Sequence, residues 1–201
     1  MSRVQLICRA ALLLALLSSP AAAAAQAGGA EFLPAEVEAM QMAQEMSFVC
    51  NPERHRSMAG SESVIRRASD TLAGTAALLQ SAEGTFLVLE GYDENMAGHC
   101  LVLAWFGNTL EAGRYAIRQL SSAAMEEETS SGAHSFFTFS AVRAPGESSI
   151  LVTQSGSLEI LTRTTAGLSG TFRLTGFAVE GGERTDGIVF EGSFTALERE
   201  P

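Results

Sequence analysis

The feature that most constrains the fold is a hydrophobic period of two in the C-terminal third of the chain. In 157–160 (SLEI), 171–174 (TFRL) and 188–194 (IVFEGSF), apolar residues alternate with other residues, as in a strand with one buried face. Glycine-rich breakers at 167–170 (GLSG) and 181–183 (GGE) separate these runs and are typical of hairpin turns. The pattern predicts consecutive antiparallel strands.

Three upstream runs are also typical of strands, because they are short and rich in β-branched and aromatic residues. They cover 85–92 (TFLVLEGY), 99–106 (HCLVLAWF) and 136–142 (FFTFSAV). The second run is apolar on both faces, which predicts a central strand with Trp105 and Phe106 in the core.

Together the pattern predicts an all-β domain over residues 61–199. About eight strands without a long helical pattern between them favour an antiparallel β-sandwich, with a closed, calycin-like β-barrel as the alternative. We expect one or two strands in 64–79 and a charged loop at 126–128 (EEE).

The first 27 residues have the pattern of a cleaved secretory signal peptide. Arg3 and Arg9 precede or flank an apolar run at 10–17, and small residues lead to Ala25-Gln26-Ala27. The run is too short for a membrane span. We therefore predict cleavage after Ala27 and a secreted or periplasmic protein.

The segment 28–60 differs in composition from the strands that follow. We expect it to be helical or flexible, with a short helix over 34–46 (PAEVEAMQMAQEM), where Pro34 suits the first helical turn.

Signal cleavage removes Cys8 and leaves two cysteines, Cys50 and Cys100. In an oxidising compartment the simplest outcome is a disulfide between them, and two buried free thiols are the alternative. No metal site or other cofactor is predicted, because these cysteines and the three histidines lack a tight ligand spacing. His99 and Cys100 are adjacent on a strand and should point to opposite faces.

Charge excludes several functions. After cleavage, 11 arginines face 23 acidic residues, a net charge of −12 that disfavours nucleic-acid binding. The chain has no lysine, which excludes Schiff-base chemistry and a P-loop.

Four arginines form a basic island in this acidic chain. We interpret Arg54, Arg56, Arg66 and Arg67 as a candidate anion or partner patch. The alternative is that they pair with the protein's own glutamates.

Four segments carry a resemblance: 111–117 (EAGRYAI), 156–160 (GSLEI), 168–174 (LSGTFRL) and 192–196 (GSFTA). They resemble an uncharacterised family of β-sandwich domains in secreted bacterial proteins, in which a G-x-L-x-I strand precedes v-x-G-x-F and G-x-F-x-A. The resemblance implies a secreted β-sandwich without an assigned activity, and it supplies no functional residues.

No catalytic residue is predicted, since the chain lacks a G-x-S-x-G elbow and its many acids select no carboxylate pair. The sequence favours a non-enzymatic binding or structural module with a protein or envelope partner. A carrier of a small apolar ligand in a barrel cavity and a hydrolase with an unrecognised site are the alternatives.

The predicted disulfide is testable on the exported protein. Under denaturing conditions an alkylating reagent should label neither Cys50 nor Cys100 before reduction, and both afterwards, as read by intact mass. Labelling of both thiols without reduction would contradict the pairing.

Overall fold

The computed structural model describes residues 32–45, 60–68, 70–80, 84–92, 98–106, 110–131, 136–144, 147–180 and 183–199. Strands dominate these ranges, so the all-β prediction is confirmed. The predicted signal peptide, Cys50, Arg54 and Arg56 lie outside them, so the predictions for these residues stay predictions.

Two helices and ten strands make up the described chain. In chain order they are α1 (Pro34–Glu45), β1 (Glu62–Arg67), β2 (Asp70–Gly74), β3 (Ala76–Gln80), β4 (Thr85–Tyr92), β5 (Gly98–Trp105), β6 (Gly113–Gln119), α2 (Ser122–Ser131), β7 (Phe136–Ala144), β8 (Glu147–Thr164), β9 (Gly167–Glu180) and β10 (Glu183–Arg199). Helix α1 confirms the short N-terminal helix predicted by the sequence.

The segment 64–79 contains parts of three strands, not one or two. The chain reverses after β1, where Ala68 has a left-handed φ of 51°, and it breaks again at Thr75 between β2 and β3. Both breaks are changes of backbone direction and strand pairing, so the hydrophobic pattern did not reveal them.

A helix, α2, replaces the charged loop expected at 126–128. Its first turn is capped twice: the Ala124 amide donates to Ser121 Oγ (3.2 Å), and the Ser122 amide donates to the Glu38 carboxylate of α1 (3.1 Å). The Ser122 hydroxyl donates to the same carboxylate. The second cap comes from a distant residue, which explains why the local sequence did not predict this helix.

Most strand pairs are antiparallel, and β8, β9 and β10 form the consecutive hairpins that the period of two predicted. Two short pairs are parallel: β3 with the end of β10, and β6 with the start of β7. The expectation of purely antiparallel pairing is therefore wrong.

The strand pairs form a closed circuit. From β10 the hydrogen-bonded neighbours are β9, β8, β7, β5, β4 and β3, and β3 pairs with β10 again. We call these seven strands the ring. The β1–β2 hairpin also joins β10 to β4, and β6 lies against β7 and β8.

One face of these strands carries a single continuous apolar cluster, the inner cluster, which joins residues from opposite parts of the ring and therefore lies inside it. Its members are Ile65, Ala76, Leu78, Leu87, Leu89, Leu101, Leu103, Trp105, Leu110, Ile117, Leu151, Leu158, Ile160, Leu168, Phe172, Leu174, Phe190, Phe194 and Ala196. Burial of these side chains is the main favourable term of the fold.

Two outer surfaces of the ring are also apolar, and helical residues cover them. Leu120 and Ala124 of the α2 region pack on the outward side chains of β3, β4 and β5. Ala39 and Met40 of α1 pack on Val152 and Phe177 of β8 and β9.

The prediction for the central strand is right except at its end. Every residue of β5 is buried, including Trp105, but Phe106 lies beyond the strand and is 37% exposed. The placement of Phe106 in the core is therefore wrong.

A buried ion pair fastens α1 to the ring. Glu36 is 3% exposed and accepts two hydrogen bonds from the Arg184 guanidinium of β10, at 2.9 and 3.1 Å. The guanidinium carbon lies 3.9 Å from the centre of the Phe177 ring. Glu36 also accepts the Leu33 amide at 2.9 Å, which closes the first turn of α1.

The protonation of Glu36 follows from these contacts. Burial acts to raise the pKa of its carboxyl group, but the hydrogen bonds from Arg184 and Leu33 outweigh it and hold the pKa below its usual value. The bond to Glu36 in turn raises the pKa of Arg184. The pair therefore stays charged at neutral pH.

Replacing Glu36 with Gln should lower the free energy of unfolding by about 2 kcal/mol, because it removes the buried counter-charge of Arg184 and leaves only the ion pair with the exposed Asp186. Urea unfolding of residues 28–201 at pH 7 measures this. Arg173→Gln is the matched control: it breaks the pair with Glu191, whose side chains are 62% and 47% exposed, and should cost no more than about 0.5 kcal/mol. Equal losses in both variants would contradict a fastening role for Glu36.

Candidate functional site

A small polar group lies at one end of the ring, where the β1–β2 turn meets β4, β5 and β10. We call it the His99 cluster; its residues are Arg67, Asp70, Gly91, His99 and Phe190. Arg67 lies opposite Asp70 on β2 and opposite Phe190 on β10, and His99 lies opposite Gly91 on β4. The tight turn after β1 thus brings a cation and a carboxylate to the end of an apolar interior.

His99 points into the ring and is 7% exposed. Its imidazole meets the Phe190 ring edge to face, with the ring centres 4.8 Å apart. The Nδ1 atom is sealed from solvent and has no hydrogen-bond partner in the described part of the chain. A buried polar atom without a partner costs free energy, so it is an unusual feature that calls for an explanation.

Gly91 leaves the neighbouring position on β4 without a side chain. A Cβ atom there would approach the Leu72 Cβ to 3.0 Å and the Ile65 Cδ1 to 3.4 Å. Side chains of β1 and β2 would therefore crowd a larger residue at this position, and His99 has no side chain beside it on β4.

Arg67 is half-buried, and its guanidinium carbon lies 5.7 Å from the centre of the Phe190 ring. This contact orients the side chain without using its N–H groups as hydrogen-bond donors. Among the described residues, Arg67 forms no ion pair or hydrogen bond through its side chain.

The environment lowers the pKa of His99 to about 4. The largest cause is burial, which disfavours the charged imidazolium; the positive charge of Arg67 lowers the pKa further, and Asp70 partly opposes both. At neutral pH the imidazole is uncharged, and Arg67 supplies the positive charge of the cluster.

The four arginines of the predicted patch do not all have a described position. Arg66 and Arg67 are adjacent on β1, and they point to opposite faces: Arg66 is exposed on the outside, opposite Glu191, and Arg67 points inward. Arg54 and Arg56 lie outside the described residues. A patch of all four arginines stays a prediction.

The two faces of β5 also separate His99 from Cys100, as the sequence predicted. Cys100 belongs to the outer cluster with Val88 and Val102, whereas His99 faces Phe190 inside. Its predicted disulfide partner, Cys50, lies outside the described residues, so the bond stays a prediction.

The sequence pattern offered His99 as a possible metal ligand or imidazole base but did not predict its contact with Phe190. A signal was present: apart from the thiol of Cys100, His99 carries the one titratable side chain of a strand that is otherwise apolar on both faces. A second such signal is Glu90, which is fully buried on the outside of β4 and accepts a hydrogen bond from the Tyr92 hydroxyl (2.9 Å).

In the ranges that the structure describes, no three His, Cys, Asp or Glu side chains come together as a metal site would require. Neither described helix has the length and apolar character needed to cross a membrane.

Comparison with known proteins adds no homologue. No protein-family model matches the chain, and no curated protein or solved structure is significantly similar to it. The resemblance to secreted bacterial β-sandwich domains stays a prediction.

The pKa of His99 has a consequence for stability. Because the pKa is about 4 in the folded protein and 6.5 in an exposed histidine, the unfolded chain binds more protons between these values. Stability should therefore fall as the pH falls through this window, by about 2 kcal/mol between pH 7 and pH 5.

Urea unfolding at pH 7 and pH 5 tests this in residues 28–201 and in the His99→Phe variant, which keeps a ring but cannot be protonated. Wild type should lose about 2 kcal/mol more than the variant over this step, because the other titrating groups are common to both. Parallel losses would show that His99 is not buried in its neutral form.

Proposed function

We propose that this chain is an exported, non-enzymatic binding module that takes its ligand at the His99 cluster. The observation that carries the proposal is the sealed Nδ1 of His99, which lacks a partner beside a cation whose N–H groups are also uncommitted within the described residues. Binding sites are typically apolar surroundings with a few converging polar groups. The end of the ring combines such apolar surroundings with two polar groups, His99 and Arg67.

The closed barrel is the architecture that we favour over the sandwich. A seven-strand circuit that returns to its first strand supports closure, and the inner cluster collects side chains from around that circuit. In a barrel, ligands bind either in the interior or at an open end. The interior of this ring is occupied by its own contacting side chains, which favours the end.

The chemistry of the cluster favours binding over catalysis. A general base works best with a pKa near the operating pH, whereas the pKa of His99 is about 4. The guanidinium of Arg67 has only hydrogen-bond donors and therefore cannot act as a general base. Both groups are suited to hold a ligand: the neutral imidazole of His99 can donate or accept a hydrogen bond, and the guanidinium of Arg67 provides positive charge.

A carrier of a small apolar ligand is the second candidate. The apolar character of the inner cluster favours it, and Thr153, another buried residue whose side-chain oxygen has no partner among the described residues, points into the same interior. Such a carrier would accept neutral apolar molecules as readily as charged ones.

Selective labelling with ¹⁵N-histidine tests the proposed function, because the mature chain has only three histidines. The imidazole signals of His99 are assigned by their loss in His99→Gln. A fragment library should contain compounds that shift these signals and raise the melting temperature, with about 2.7 kcal/mol of stabilisation at a hundredfold excess over Kd.

The opposing outcome is turnover. The same protein is incubated with panels of esters, glycosides, peptides and phosphoesters. Hydrolysis by wild type that is lost in His99→Gln would contradict the proposed function and support the hydrolase alternative.

A further inference from the structure

We infer that the His99 cluster binds a small monocarboxylate with an apolar body, with Arg67 pairing with the carboxylate and His99 hydrogen-bonding to it. This inference rests on the proposed function, that the His99 cluster is a ligand site, and it names the ligand class.

Arg67 differs from most of the other described arginines in that it forms no ion pair with an acidic residue of the described ranges. Five of the arginines with described side chains pair with acidic residues, and the pairs are Arg114–Glu159, Arg118–Glu127, Arg163–Glu198, Arg173–Glu191 and Arg184–Glu36. Arg66 lies directly opposite Glu191. Arg67 instead faces Phe190 and forms none of these ion pairs.

Its position prepares Arg67 to receive a carboxylate. The Phe190 ring orients the guanidinium, and partial burial reduces the competition from water. A guanidinium presents parallel N–H groups that match the two oxygens of a carboxylate, so a single Arg67 forms a bidentate pair. Asp70, directly opposite Arg67 on β2, is exposed, so solvent screens its charge more than that of the half-buried Arg67.

His99 supplies the second contact. Its Nδ1 is buried without a partner among the described residues, and as a neutral imidazole it can carry its proton on that atom. A carboxylate oxygen that enters the end of the ring and accepts this proton in a hydrogen bond satisfies the buried atom. Hydrogen bonds to a charged group are stronger than neutral ones, and this offsets the free-energy cost of removing the carboxylate from water.

The charge of the cluster selects a monoanion. His99 is neutral and Arg67 and Asp70 carry opposite charges, so a phosphate dianion would add more unbalanced negative charge beside Asp70 than a monocarboxylate would. The surroundings select a ligand with an apolar body. Phe190 of the cluster is apolar, and so are the neighbouring side chains of Ile65, Leu72 and Ile188. A short fatty acid or an aromatic acid combines both properties.

Isothermal titration calorimetry of the mature protein at pH 7 tests the ligand class. The probes are octanoate and benzoate, with octan-1-ol and benzyl alcohol as neutral counterparts and inorganic phosphate as a second anion. At least one carboxylate should bind about tenfold or more tightly than its alcohol, as one charge-assisted hydrogen bond implies. Phosphate should bind more weakly than the carboxylates.

Two neighbouring arginines provide a matched pair of variants. Arg67→Gln should weaken carboxylate binding about tenfold or more, whereas Arg66→Gln, which removes the same charge from the outer face, should change it less than about twofold. Arg67→Lys keeps the charge but not the fork, so it should bind with intermediate affinity. Thermal unfolding of each variant confirms that it folds.

Three results would overturn the inference. They are equal binding of alcohols and carboxylates, equal losses in Arg66→Gln and Arg67→Gln, and no binding of either carboxylate by the folded wild type. The proposed function survives these results if neutral fragments still shift the His99 signals. A different result, hydrolysis that depends on His99, would contradict the proposed function itself.

Discussion

The rest of the structure depends on the burial of β4 and β5 on both faces. Their inward side chains, such as Leu89 and Leu101, join the inner cluster, while Val88 and Val102 form an apolar surface on the outside. Such strands are stable in water only when both faces are covered. Closure of the ring covers one face, and residues of the α2 region pack on the other. Glu38 of α1 caps α2 and so links the two helices.

The same constraint shapes the candidate site. His99 shares β5 with the most buried side chains of the protein, so the strand carries a polar ring into an apolar interior. Burial keeps this imidazole neutral, and the edge contact with Phe190 holds it in place. Arg67, in contrast, is the last residue of β1, and its side chain is partly exposed to solvent. The site therefore has one group that solvent reaches and one that it does not.

The local pattern of the sequence predicted those features that depend on local side-chain periodicity. The β8–β10 hairpins, the buried β5 and helix α1 follow from alternation, apolar runs and Pro34. The closing parallel pair of β3 and β10 and the Glu36–Arg184 bond join residues more than 100 positions apart, and no local pattern encodes them. For the same reason the contact of Arg67 with Phe190 was not predictable, although Arg67 itself was among the candidates.

The arginine pairs give the site a physical context. In a chain with 23 acidic residues and 13 arginines, acidic partners are abundant, and pairing is the expected state of an arginine. The β1–β10 register sets Arg67 against Phe190 and the adjacent Arg66 against Glu191; on the other side of β1, Arg67 lies opposite Asp70, with which it forms no ion pair among the described residues. A shift of one residue would exchange the two faces and place Arg67 among the outer acids. The register of a single ladder therefore determines that a cation with uncommitted donors lies at the apolar end of the ring.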